Sequence, residues 1–181
     1  MNYKETALQG CYIIEFKPRV DERGWFARTF SKDEFKSIGF NGEWVQMNHS
    51  FTAEKGTLRG MHFQFPPYDE IKLVRCIKGS IYDVVIDIRK DSKTFLKWIG
   101  VELTADNNRM LYIPEGFAHG FQAIADNCEL IYLHSKPYTP GHEGGIRFDE
   151  NLIGIKWPLQ INKLSDRDNG HPLLNNEFKG I

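Results

Sequence analysis

Three patterns are missing from this 181-residue chain, and each absence removes a class of protein. Cysteine occurs only at Cys11, Cys76 and Cys128, with no CxxC spacing. An odd, scattered set of thiols argues against a disulfide framework and a cysteine-ligated zinc site, and suits a reducing compartment such as the cytoplasm. Long apolar runs are absent too: no window reaches the roughly 18 uncharged residues of a membrane-crossing helix. The first ten residues, MNYKETALQG, are polar and lack the basic stretch and apolar run of a secretory signal. Finally, there is no excess of one charge. With 23 Lys and Arg against 24 Asp and Glu, the formal net charge is -1. No overall basic field draws nucleic acid or an anionic membrane, so any anion must be held by a local cluster.

What is present reads as β structure. Short apolar runs recur along the chain, among them CYIIEF, IKLVRCI, IYDVVIDI, WIGVEL, RMLYIP, GFQAIA and ELIYLH. They are rich in Ile, Val, Tyr and Phe and are punctuated by turn residues such as KG, DNN and PEG, the signature of strands and hairpins. The pattern predicts an all-β sandwich or barrel, with residues 1–181 as one domain. One helix is expected at SKDEFKSIG, with Ser31 and Glu34 as a capping box and Gly39 as its stop. The tail from about residue 162 is polar, and is either frayed or folded over a site.

Within this pattern one stretch is anomalous. GTLRGMHFQFPPYDEIKLVRCIKG sets Arg59, His62 and Lys72 where half-buried strands normally carry apolar side chains. Either these residues face water or they line a pocket. RGMHFQ and IPEGFAHGF also resemble the two metal-binding motifs of cupin barrels, but Gln64 replaces the second histidine of the first motif. Ala123 stands where the second motif has asparagine. Glu70 with His62 and His119 is the remaining ligand set. We expect neither a metal nor another cofactor. A buried structural role is the alternative for His119.

Seven strings, DERGWF, QMNHS, LRGMHFQ, PPYDEIKLVRCIKGSIYDVVIDIRKDS, LYIPEGFAHGF, IYLHSKPYTPGHEGGIRF and IGIKWP…LSDRD, occur in the order and spacing of the dTDP-4-dehydrorhamnose 3,5-epimerase family, which the chain resembles from about residue 10 to 170. The resemblance implies a metal-independent, cupin-type double-stranded β-helix (a jelly-roll barrel). It also implies a homodimer, acting on a nucleotide-linked 4-keto-6-deoxyhexose. A metal-dependent cupin isomerase or oxygenase, and a sugar-nucleotide-binding cupin without turnover, are the alternatives.

Epimerisation beside a ketone needs a base, an acid on the opposite face and a group to stabilise the enolate oxygen. Histidine is suited to the first role, because its ordinary pKa of about 6.5 leaves neutral imidazole available at pH 7. The resemblance implies His62 as base, Asp168 as its carboxylate partner, Tyr132 as acid and Lys72 beside the C4 oxygen. It implies Arg23, Arg59 and Arg167 as diphosphate contacts, with Arg167 where the family more often has lysine. Tyr138 is the residue stacked on the nucleobase, and Gln46, Asn48, His119 and Glu143 are further substrate contacts. Strict strand alternation sets Arg59 and His62 on opposite faces. A bulge at Gly60 would restore them to one side. Arg28 stands where the family has glutamate and Met47 where it has aspartate, so two acceptors are lost near the expected base-binding region.

Overall fold

The computed structural model describes residues 1–175 and 177–181. Nearly every apolar run of the sequence becomes a strand, and neighbouring strands pair antiparallel. One sheet has the order β1 (Asn2–Glu5), β2 (Tyr12–Glu15), β10 (Arg109–Ile113), β7 (Lys72–Lys78), β12 (Cys128–His134) and β5 (Gln46–Thr52). The other has β13 (Glu143–Gly145), β6 (Leu58–Gln64), β11 (Phe117–Ala123), β8 (Ser80–Asp87) and β9 (Trp98–Thr104). A ribbon of β3 (Arg19–Asp21) and β4 (Gly24–Phe26) stands apart from both sheets. This is the all-β, cupin-type jelly roll that the sequence predicts.

Alternation along the strands divides the chain's apolar residues among three clusters. Leu130 and Cys128 of β12, Val74 and Cys76 of β7, Phe121 and Ala123 of β11, and Ile81 and Val85 of β8 meet in one cluster between the sheets. The opposite face of the five-stranded sheet carries Met61, Phe63, Val84 and Ile86, and is covered by the C-terminal Trp157, Leu174, Phe178 and Ile181. The outer face of the six-stranded sheet, with Ile14, Leu73, Met110 and Tyr112, is covered by Phe35 and Phe40. Both phenylalanines are fully buried. The Phe40 ring lies 4.3 Å from Trp44 in a stacked arrangement, a geometry that adds to the gain from area alone.

The helix forms where predicted but is shorter and differently held. α1 spans Lys32–Phe35 and tightens into a 3₁₀ turn over Lys36–Ile38, which stops at Gly39 with φ of 87°. The expected capping box is not made, for Ser31 gives no side-chain cap. Glu34 is drawn instead to the amino terminus at 3.1 Å and to Arg28 at 3.3 Å. Two full positive charges outcompete a backbone N–H for one carboxylate. The tail is ordered by contact: Asp166–Asn169 forms a short turn of helix, α2, whose Ser165 accepts from Asp168 N at 3.0 Å.

The conflict between Arg59 and His62 is resolved in β6. His62 pairs with His119 and Arg59 with Phe121, so two residues of β6 face one residue of β11 in between. That extra residue is a β-bulge, and it returns Arg59 to the inner face that His62 also occupies. Gly60 makes it, with φ of 125°. A Cβ there would lie 2.6 Å from Gly120 Cα and 2.9 Å from the His119 carbonyl oxygen. Gly60→Ala therefore meets both a backbone collision and a left-handed strain worth about 1–3 kcal/mol. We predict a loss of at least about 2 kcal/mol in urea unfolding relative to the parent; an unchanged midpoint would show that the bulge does not need glycine.

Candidate active site

The inner face of the barrel changes character along each strand. On β12 the inward residues run Cys128, Leu130, Tyr132, His134; on β7 they run Cys76, Val74, Lys72; on β11 Ala123, Phe121, His119. The apolar half of each run packs in the central cluster. The polar half lines a cavity of about 720 Å³, walled by Ser50, Arg59, His62, Lys72, His119, Tyr132, His134, Ser165, Arg167 and Asp168. A second cavity of about 380 Å³ shares His62, Lys72, His134 and Arg167 and adds Gln46, Gln64, Glu70, Tyr138 and Glu143. The anomalous Arg59, His62 and Lys72 thus face a pocket.

His62 stands on the five-stranded sheet, with Nε2 2.7 Å from Asp168 Oδ1. The other Asp168 oxygen accepts the Gly60 N–H at 3.1 Å. Burial acts to raise the Asp168 carboxyl, but the hydrogen bond and charge of His62, with Gly60 N–H and Ser165, outweigh it and hold the group below its ordinary value. An ionised Asp168 can only accept in this bond, so His62 donates through Nε2–H; in the uncharged form of the ring this leaves the lone pair on Nδ1.

Tyr132 and Lys72 come from the facing, six-stranded sheet. Burial raises the Tyr132 phenol, and its hydroxyl lies 3.1 Å from Ser50 Oγ. Lys72 is 8% exposed and its Nζ is 3.0 Å from Glu70 Oε1. The second Glu70 oxygen accepts from Gln64, whose own oxygen accepts from Thr139 N at 2.7 Å. His119 is buried with Nε2 2.7 Å from Asp83 Oδ1. Glu70, His62 and His119 therefore have separate partners and do not form a ligand set.

The remaining predicted contacts divide. Arg59 is steered by Thr52 Oγ1 and the Phe51 carbonyl, each at 3.1 Å, and lines the larger cavity. Gln46, Asn48, Tyr138, Glu143 and Arg167 surround the smaller one. Tyr138 donates its hydroxyl to Glu143 at 2.8 Å and its N–H to Gln46 at 2.9 Å, while Arg167 lies 3.5 Å from Glu143. Arg23, Arg28 and Met47 line neither cavity. Arg23 pairs with Asp21 on the exposed ribbon, Arg28 with Glu34, and Met47 points outward from β5. Alternation accounts for Met47, because Gln46 and Asn48 take the inner positions.

Among the polar residues of the site that the sequence-based expectations lack are Asp83, His134 and His171. Asp83 and His134 fall on inward positions of β8 and β12, a signal that period-two counting would have caught. His171, beyond α2, carries no periodic signal.

The chain matches the family described as dTDP-4-dehydrorhamnose 3,5-epimerase over residues 5–176. It is 44% identical over 180 residues to the dTDP-4-dehydrorhamnose 3,5-epimerase of Shigella flexneri, covering 98% of this chain and 99% of that one. Among solved structures, the Bacillus anthracis enzyme with TDP and PPi bound superposes with a TM-score of 0.92 at 38% identity, covering 96% of this chain and 99% of that one. The Legionella pneumophila dTDP-6-deoxy-D-glucose-3,5-epimerase in complex with dTDP-4-keto-L-rhamnose gives 0.90 at 36%, covering 95% and 92%.

His134 makes the site's acid sensitivity measurable. Asn48 Nδ2 lies 3.3 Å from His134 Nε2, so this nitrogen accepts and the proton sits on Nδ1. Burial, then the Lys72 charge, lower its pKa from 6.5 to about 4. Between these values the unfolded chain binds more protons than the folded one, so stability falls as pH drops from about 6.5 to about 4, by up to about 3 kcal/mol. His134→Gln should flatten that part of the stability-against-pH curve in urea titrations. Parallel curves for parent and variant would contradict a neutral, buried His134.

Proposed function

The chain belongs to the dTDP-4-dehydrorhamnose 3,5-epimerase family, and on that premise we propose that it epimerises a dTDP-4-keto-6-deoxyhexose at the carbons flanking the ketone. One observation carries the residue assignments: His62, paired with Asp168, and Tyr132 stand on facing sheets across one cavity. His62 takes the α-proton on Nδ1. Asp168, already ionised, balances the imidazolium that results. The electrons move onto the C4 oxygen, where the Lys72 ammonium meets the developing charge, an effect worth roughly 3 kcal/mol in comparable oxyanion sites. Tyr132 returns a proton from the other face, and its raised pKa keeps the phenol protonated until the enolate calls for it.

Arg59 and Arg167 are placed for the diphosphate, to which a guanidinium offers a planar, bidentate fork. Tyr138 is the platform for the base, with Gln46, Asn48, His119 and Glu143 as further contacts. Arg28 and Met47 line neither cavity of their own chain. We expect a cytoplasmic enzyme, in keeping with three buried free thiols; no helix among the described residues is long and apolar enough to cross a membrane.

A homodimer accounts for the outlying Arg23. The ribbon that bears it exposes Val20 (79%), Trp25 (56%) and Phe26 (72%), and edge strand β5 exposes Met47 and Phe51, with Val45 just before it. Such apolar surface calls for a cover, and a second copy supplies one while carrying Arg23 to its neighbour's cavity.

Two experiments test this reading. In heavy water with the 4-keto-6-deoxyhexose nucleotide, proton NMR should show His62→Ala losing exchange by about 10²–10⁴-fold. Tyr132→Phe should retain exchange while inversion falls; exchange at the parent rate in His62→Ala would remove the base. The dimer is tested by Trp25→Asp, which should sediment as a monomer where the parent sediments as a dimer. A monomeric parent ends the proposal.

A further inference from the structure

His171 has no part in the reaction proposed above, yet its surroundings are specific. It follows α2 three residues after Asp168, and its side chain is 12% exposed. The ring lies against β13 where Gly145 leaves room, since a Cβ there would fall inside the imidazole. Its Nε2 is buried and, among the described residues, has no hydrogen-bond partner. That atom is 3.8 Å from Asp168 Oδ1, the oxygen that His62 Nε2 meets at 2.7 Å. A buried imidazole nitrogen left without a partner costs free energy unless a ligand completes it.

The three atoms converge. Ligand atoms of His62, Asp168 and His171 all lie within 4.8 Å of one another, the one such trio found among the described residues. Zinc binds imidazole nitrogen and carboxylate oxygen at about 2.0–2.2 Å in tetrahedral geometry, which sets ligand atoms about 3.3 Å apart. The 2.7 and 3.8 Å separations bracket that value. Two imidazoles and one carboxylate suit zinc and its neighbours; magnesium and calcium prefer shells of oxygen. His62 lines the two substrate-side cavities and His171 a third of about 530 Å³, so the cluster stands between spaces that can hold an outer ligand. The adjacent Arg167 charge is shared with Glu143.

We propose that His62, Asp168 and His171 form a binding site for zinc or a similar divalent transition ion, occupied in competition with catalysis. The site differs from the cupin ligand set considered in the sequence, for it uses neither Glu70 nor His119. Protons balance without release. In the active form His62 carries its proton on Nε2, hydrogen-bonded to Asp168, and keeps the Nδ1 lone pair. Coordination takes the Nε2 lone pair instead, so the proton must stand on Nδ1, and the imidazole can no longer accept one from substrate. Asp168 exchanges a proton partner for the ion. The binding claim stands independently of the proposed reaction; only its consequence for turnover rests on His62 as base.

Calorimetric titration of the purified protein with zinc chloride, paired with the visible spectrum of added cobalt(II), tests the site. One ion per chain should bind, with the intense absorption of tetrahedral cobalt. His171→Phe, which keeps a ring but no ligand nitrogen, and His171→Ala should each weaken binding by more than about tenfold. Equal zinc affinity in both variants and the parent, or no binding to the parent, overturns the proposal. In turnover, zinc should inhibit the parent, and the His171 variants, each compared with its own zinc-free rate, should tolerate at least tenfold more. Binding that depends on His171 but spares turnover would leave the site standing and remove His62 from the base role.

Discussion

The hydrogen bond between His62 and Asp168 joins parts of the chain 106 residues apart, and the site exists only where both arrive. His62 comes from a barrel strand, Asp168 from a segment with little regular structure of its own. The same carboxylate also accepts the N–H of Gly60, so it bridges the bulge that sets Arg59 and His62 on one face. Strand register, tail and dyad therefore specify one another. A carboxylate held by two donors in a half-enclosed site stays ionised, as the role proposed for Asp168 beside a base requires.

Around that bond the barrel is divided lengthwise. The central apolar cluster supplies burial, roughly 25 cal/mol for each Å² removed from water, and the other end gives up that gain to keep polar groups inside. Its cost is contained because the inner ionisable groups have partners: Lys72 with Glu70, His119 with Asp83, His62 with Asp168. Unpaired, each would be expensive to bury. Paired, they are preorganised, which is the condition for electrostatic stabilisation of a transient enolate. His134 illustrates the bargain, a histidine kept neutral by burial and by the adjacent ammonium.

Much of this was legible in the residues. Short apolar runs with turn punctuation carried the strands, because alternation and strand length are local properties. Arg59, His62 and Lys72 betrayed the pocket by being polar where burial was expected. Other features depended on competition that the sequence does not display. Ser31 and Glu34 had the capping-box spacing, but the amino terminus, 33 residues away, took the carboxylate. Arg28 and Met47 lay beside pocket residues in sequence, yet one turned to Glu34 and the other followed the pleat outward.

The sequence by itself determined the β class, the bulge-forming glycine and the chemical inventory of imidazole, phenol, carboxylate and cations, since these follow from side-chain chemistry and local period. Tertiary structure decided which of them meet. It put His62 and Tyr132 on facing sheets, paired Glu70 with Lys72, and brought His171 to the far side of Asp168. Contacts between residues far apart in the chain depend on how sheets pack and where loops close, and those are collective outcomes of burying the apolar faces. No short stretch of sequence contains them.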